Sequence, residues 1–371
     1  MKAVFTAFVL AAMLNQLFMK KILFTLSLLI FIVSCSKKPG KYIDADNLVV
    51  FPKPPDTTRI QFLTTINSSL DVTGEQSGFY KFIFGNPEIL PIVKPYGISI
   101  NKSRIYICDP GISGIEIINL ENRNFEYFVP GGMGTLQLPI NCTFDDKDRL
   151  FVADGNRGQV VVFDHNLKYI DALSPEGKFK PTGICFFNGT IYVAAVDLHK
   201  VFVFDSESLK LIGSFPDNDD KGDGYLYQPI NITVNDEFVY VTDFGDFNVK
   251  KYTHKGEYVG SIGSYGRSYG QFTRPKGIAT DIDKNIFVVD AAFENVQVFN
   301  KSGNLLMYFG GSYNGMGSMS LPAGIAIDYT CLEHFSHYIY KDFDLKYLIF
   351  VSNQFGKEKI SVYGFVKPKD N

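Results

Sequence analysis

The chain has 371 residues, 46% hydrophobic and 15% aromatic, with 34 Phe, 21 Tyr and no Trp, which is ample for a large core. Its 36 basic and 39 acidic residues leave a net charge of −3. Phosphate binding needs clustered Lys and Arg, and no such cluster is present, so no nucleic-acid partner is expected.

Residues 1–34 are apolar, interrupted by Asn15, Gln16 and the pair Lys20-Lys21. From Met19, which we take as the true start, a basic opening, a short apolar run and a small residue describe a secretory signal peptide. The run Ile22 to Val33 is short for a bilayer span. Ile32-Val33-Ser34-Cys35 resembles the bacterial lipobox, which implies a lipid-anchored protein cleaved before Cys35 and acylated there. Ser36, rather than Asp, follows the lipid cysteine; by resemblance to known sorting rules this implies the outer membrane. Lys37-Lys38 favour a periplasm-facing orientation, with surface exposure as the alternative. Residues 35–58 form the lipidated tether, and Phe51-Pro52-Lys53-Pro54-Pro55 favours an extended polyproline conformation.

A repeat follows. Prolines at Pro95, Pro139, Pro181, Pro229, Pro275 and Pro322 recur at steps of 44, 42, 48, 46 and 47 residues. Two positions after each stands Gly97, Asn141, Gly183, Asn231, Gly277 or Gly324. Second-strand runs end at Asp109, Asp154, Ala195, Asp243, Asp290 and Asn353. Runs of four to seven β-branched and aromatic residues, bounded by turn residues, place four antiparallel strands in each unit. A period of 40 to 50 with four strands per unit predicts an all-β, six-bladed β-propeller over residues 59–366, with 367–371 as a tail.

The stretch from Gln271 to Phe299, with its Pro275-Lys276-Gly277 turn and Asp290, and the stretch from Leu138 to Phe163 resemble NHL repeats. That family builds six-bladed propellers, and the resemblance covers roughly residues 60 to 366. Ala195 and Asn353 depart from its Asp signature. The sixth unit ends before a fourth strand, and the run Arg59 to Ile66 can supply it, closing the ring with blade six.

Function in a propeller lies in its loops, because the blades are scaffold. The loops between units and those joining second to third strands share one face. Gly131-Gly132-Met133-Gly134, the loop from Gly263 to Arg267 and that from Gly310 to Gly315 read as structural turns. A strand, not a helix N-terminus, follows each of them, which argues against a phosphate cradle. Tyr265, Arg267, Tyr269 and Tyr313 are the candidate binding face, since Tyr and Arg are enriched at interface hot spots.

Asn141 and Asn231 are candidate tunnel or metal residues. Related propeller hydrolases and lactonases hold a catalytic calcium through tunnel Asn, Asp and Glu, and oxygen donors suit that ion. The plainer reading is that Asn replaces Gly because it tolerates positive φ. The insertion from Tyr329 to Lys346 carries His334, His337 and Cys331, a candidate zinc set, or else a loop or short helix capping the opposite face with exposed His. Cys108, Cys142 and Cys185 read as small buried apolar residues, and no spacing compels a disulfide. No cofactor is expected, calcium being the open possibility, and no catalytic residue is assigned.

The expected function is therefore a non-catalytic binding or scaffold protein of the bacterial envelope. It would be held to the membrane by lipid on Cys35 and would contact a protein partner or envelope ligand through its loop face. The alternative is a calcium-dependent hydrolase or lactonase, or a lyase, with a tunnel site.

Overall fold

The computed structural model describes residues 48–369 apart from 75–81, 83–84, 87, 178 and 218–220. The leader, the Met19 start and Cys35 lie outside the described residues. Each repeat unit is one antiparallel sheet: residues 98–128, 139–173, 181–215, 229–262 and 275–310 form blades one to five, four strands apiece. Blade six takes three strands from the C-terminal end, Pro322–Asp328, Phe343–Asn353 and Ile360–Pro368. Its fourth is the N-terminal strand Ile60–Ile66, antiparallel to the last strand with Ile60 opposite Phe365 and Ile66 opposite Ile360. The ring is thus closed by pairing the two ends of the propeller, as the sequence predicts. Val50–Phe51 adds a fifth strand at the rim, and Val49 and Phe51 pack on the core beside Phe309. The end of the stretch expected as tether is therefore docked on blade six.

Sheets with two apolar faces must bury both, and stacking blades around an axis does so. Six separate apolar clusters result, one per seam between neighbouring blades. At about 1.5–3 kcal/mol per buried large side chain, these seams are the main cohesive force. The strand Ile60–Ile66 serves both seams of blade six, Ile60 and Phe62 towards blade five and Leu63 and Ile66 towards blade one. Gln61, also buried, donates from Nε2 to the Tyr338 carbonyl at 2.8 Å and accepts from the Tyr340 N–H at 3.0 Å. That pair ties the closing strand to the insertion. The insertion itself is a short helix, Leu332–Phe335, and a 3-10 turn, Ser336–Tyr338, which pushes Phe335 and Cys331 into the seam between blades six and one.

The recurrent Asp has a definite task. Asp154 accepts the Gln137 and Leu138 N–H groups at 2.6 and 2.9 Å and the Arg157 N–H at 2.9 Å. Asp109, Asp243 and Asp290 do the same for their own loops. Each carboxylate thus clamps the interblade loop onto the turn between second and third strands. In blade three Ala195 cannot, and Asp197 from the turn holds the Lys180 N–H at 2.8 Å instead. In blade six Asn353 accepts the Ser320 N–H at 3.2 Å.

Candidate functional site

The first strand of every blade lines the axis. In blades two to six a register shift follows the opening proline, so the next residue, or in blades five and six the next two, is left out of the ladder. Such bulges re-aim side chains. Below that level the axis holds a cavity of about 260 Å³, walled by the six first strands. Its polar lining is Ser99, Thr143, Thr233 and Thr280, the two asparagines, and the Cys142 and Cys185 thiols; the remainder is aliphatic or glycine. Neither carboxylate nor imidazole lines it. Burial pushes the Cys185 thiol up to about 11, so it is no thiolate nucleophile at neutral pH.

Asn141 and Asn231 do meet. The Asn141 amide donates to Asn231 Oδ1 at 3.1 Å, and each Oδ1 accepts the N–H of the following residue at 2.9 Å. Neither residue has positive φ, nor do Gly97, Gly183, Gly277 and Gly324, so the conformational explanation of the Gly/Asn exchange is set aside. Close approach explains it. A Cβ on Gly183 would lie 2.5 Å from Asn231 Cα, and one on Gly97 would lie 2.6 Å from Asn141 Cα. A glycine precedes each asparagine round the ring, and Gly277 and Gly324 likewise lie against backbone of the next blade, so that neighbouring first strands can touch at the axis. As a calcium cage the donor set fits poorly, because both carbonyl oxygens already accept backbone N–H groups and no carboxylate joins them.

All four loop residues are exposed and differ in what else they touch. Tyr265 is 65% exposed and rests edge-on against Phe247, 4.8 Å between centroids, with Arg267 exposed two residues on. Tyr269 instead stacks on Tyr308 of the outer strand at 4.5 Å and donates its hydroxyl to it at 2.9 Å. Tyr313 folds back on its own loop, donating to the Met316 carbonyl at 3.3 Å. The sequence reading missed Phe247, in the turn of blade four, and Phe355, 57% exposed in the turn of blade six. Both follow a signature position by a few residues, which is the signal that could have marked them.

On the opposite face His334 and His337 line a pocket of about 130 Å³ with Arg123 and Asp71. Burial and Arg123 hold the His337 imidazole below its usual range, and the guanidinium works against a dication there. Cys331 is buried in the seam and its N–H is held by Asp328, away from a ligand role. Among the described residues, no three His, Cys, Asp or Glu converge in a way that could hold a metal ion.

Two further ionisable side chains, Glu116 buried and Lys276 half-buried, are positioned by the same architecture. Glu116, on the third strand of blade one, accepts the Val93 N–H at 3.3 Å beside Asp109, while its Oε2 has no partner. Burial first, and the Asp109 carboxyl second, push Glu116 up to about 10. Lys276, the residue in the bulge of blade five, donates to Gln354 Oε1 at 2.9 Å, with its amino group 5.3 Å from the centre of the Tyr96 ring.

These features define a six-bladed β-propeller. The fold is shared with virginiamycin B lyase from Staphylococcus aureus, at 13% identity, a TM-score of 0.51, and coverage of 81% of this chain and 87% of that one. It is also similar to a catalytically inactive form of that lyase with quinupristin, at 16% identity, TM-score 0.52, covering 74% and 95%. A protein of unknown function from Bacteroides thetaiotaomicron matches at 13% identity, TM-score 0.56, covering 82% and 76%. At these identities the likeness is one of fold. No protein-family model and no curated protein sequence matches the chain.

Proposed function

We propose that this chain is an NHL-type propeller lipoprotein of the bacterial envelope, anchored through Cys35, that binds another protein through its interblade-loop face and has no catalytic role. The observation that carries this reading is the chemistry of the axial cavity. Hydrolysis or elimination at a propeller axis needs an acid, a base or a metal cage. The cavity instead offers four hydroxyls, thiols raised or enclosed by burial, and an asparagine pair occupied with itself and the backbone. The lyase activity named for the Staphylococcus aureus fold neighbour belongs to that protein. The loop face, by contrast, presents Tyr265, Phe355 and Arg267 to solvent, the residue types that anchor protein interfaces.

The test is affinity isolation of the lipidated protein from its native membrane, in wild type and in a Tyr265→Ala/Arg267→Ala variant. The reading expects one stoichiometric protein to accompany the wild type through high salt and to be lost from the variant. A wild type that emerges alone would remove it.

A further inference from the structure

Three cations lie near one another on the interblade-loop face: Lys276 in the bulge of blade five, and, close enough to act on its charge, Arg274 two residues before it and Lys94 on the loop leading into blade one. Among the described residues none of them forms an ion pair within 4 Å, whereas other lysines, such as Lys102, Lys147 and Lys284, do. Lys276 is half-buried, and its single protein hydrogen bond is to a neutral amide, Gln354 Oε1. It reaches Tyr96 across blade six, whose residue at that level is Ala323, fully buried and too small to intervene. A partly desolvated ammonium held by one neutral acceptor, with two like charges nearby, is an unfavourable arrangement that an anion would relieve. Its ionisation says the same: burial, then Arg274 and Lys94, hold the amine down at about 8. Burial also pushes the Tyr96 phenol up, so its hydroxyl remains a donor.

We propose that this mouth, formed by Lys276, Arg274, Lys94 and Tyr96, receives the carboxylate side chains of an acidic segment of the partner protein. The proposal rests on the interblade-loop reading above and supplies the chemistry of what binds there. Charge complementarity argues for an acidic occupant. A polypeptide occupant is favoured by two exposed apolar side chains next in sequence to residues of the mouth, Phe355 after Gln354 and Val93 before Lys94. A small inorganic anion would leave them wet, whereas a peptide with acidic and aromatic side chains would cover them.

The probe is a fluorescein-labelled peptide of four glutamates and one phenylalanine, titrated by anisotropy against the full chain, with a glutamine counterpart as control. The expected result is saturable binding of the glutamate peptide and not of the glutamine one. Lys276→Met should weaken it by about tenfold or more, since a charge-assisted hydrogen bond is lost. Lys276→Arg should restore most of the affinity, and Lys301→Met, on an exposed turn, should leave it unchanged. An unfolding midpoint measured for each variant separates lost binding from lost fold, and the arginine variant decides the matter if the methionine one is unstable. Equal binding of the two peptides by wild type, undiminished binding by Lys276→Met, or tighter binding of inorganic phosphate than of the peptide would each overturn the proposal. A wild type that emerges without a co-purifying protein while peptide binding is intact would instead count against the partner reading, so the two failures are distinguishable.

Discussion

The Asn141 amide reaches the Asn231 carbonyl oxygen at 3.1 Å, from blade two to blade four, and blade three between them carries Gly183 at the same level. The pair is a structural clasp at the axis. Gly183→Ala should cost about 1–3 kcal/mol, because the new Cβ meets backbone rather than a side chain that could swing away. Asn141→Ala and Asn231→Ala should each cost about 1–3 kcal/mol in urea unfolding. The double variant should lose less than the sum, since contacting residues couple. Strict additivity would contradict the clasp. Millimolar calcium should leave the wild-type Tm unchanged, and a rise of several degrees would return the metal-cage reading.

Asp154 holds three backbone N–H groups, while Asp197, in the blade that lacks the signature residue, holds one and is itself exposed. Asp154→Ala should therefore destabilise by several times as much as Asp197→Ala, about 3 kcal/mol or more against about 1. Denaturant midpoints for the two variants make the comparison. Equal losses would show that the carboxylate clamp is not what the repeat retains.

Glu116 gives stability a pH dependence of known sign. Its folded value, about 10, lies above the ordinary 4.5, so between those limits the folded chain keeps a proton that the unfolded chain releases. Stability from this group is present below about pH 4.5 and falls as pH rises towards about 10. Glu116→Gln, which mimics the protonated form, should show a shallower decline in Tm from acidic to alkaline buffer than wild type does. Parallel declines would place the proton elsewhere.

The repeat made much of this legible. Proline spacing located every blade, and five of the six prolines stand at or immediately before a first strand's opening position. Closure by Ile60–Ile66 followed from a missing fourth strand in the last unit. What escaped was interblade. Gly183 and Asn231 are 48 residues apart in sequence, and only stacking shows that one makes room for the other. Lys276 looked like a turn lysine, because nothing local says that a bulge aims it at Tyr96 on another blade. Tyr269 and Tyr313, both exposed, also have internal partners, Tyr308 and their own loop, that are met only in three dimensions.

If Cys35 carries lipid, Cys35→Ser should move the protein from the membrane fraction to the soluble one, and labelled palmitate should cease to enter it. The four described cysteines should not substitute, being unpaired thiols in or beside the core, and denaturant should be needed before they react rapidly with a thiol reagent. Undiminished membrane association of the serine variant would contradict the anchor.

The most direct measurement of the binding account is site-specific photo-crosslinking in the native cell, with the reactive side chain placed at Tyr265 or Phe355 on the loop face and at Ile282, exposed on the opposite one. The account predicts a single cross-linked protein from Tyr265 and Phe355 and none from Ile282. No adduct from the loop face, or equal adducts from both faces, would contradict it.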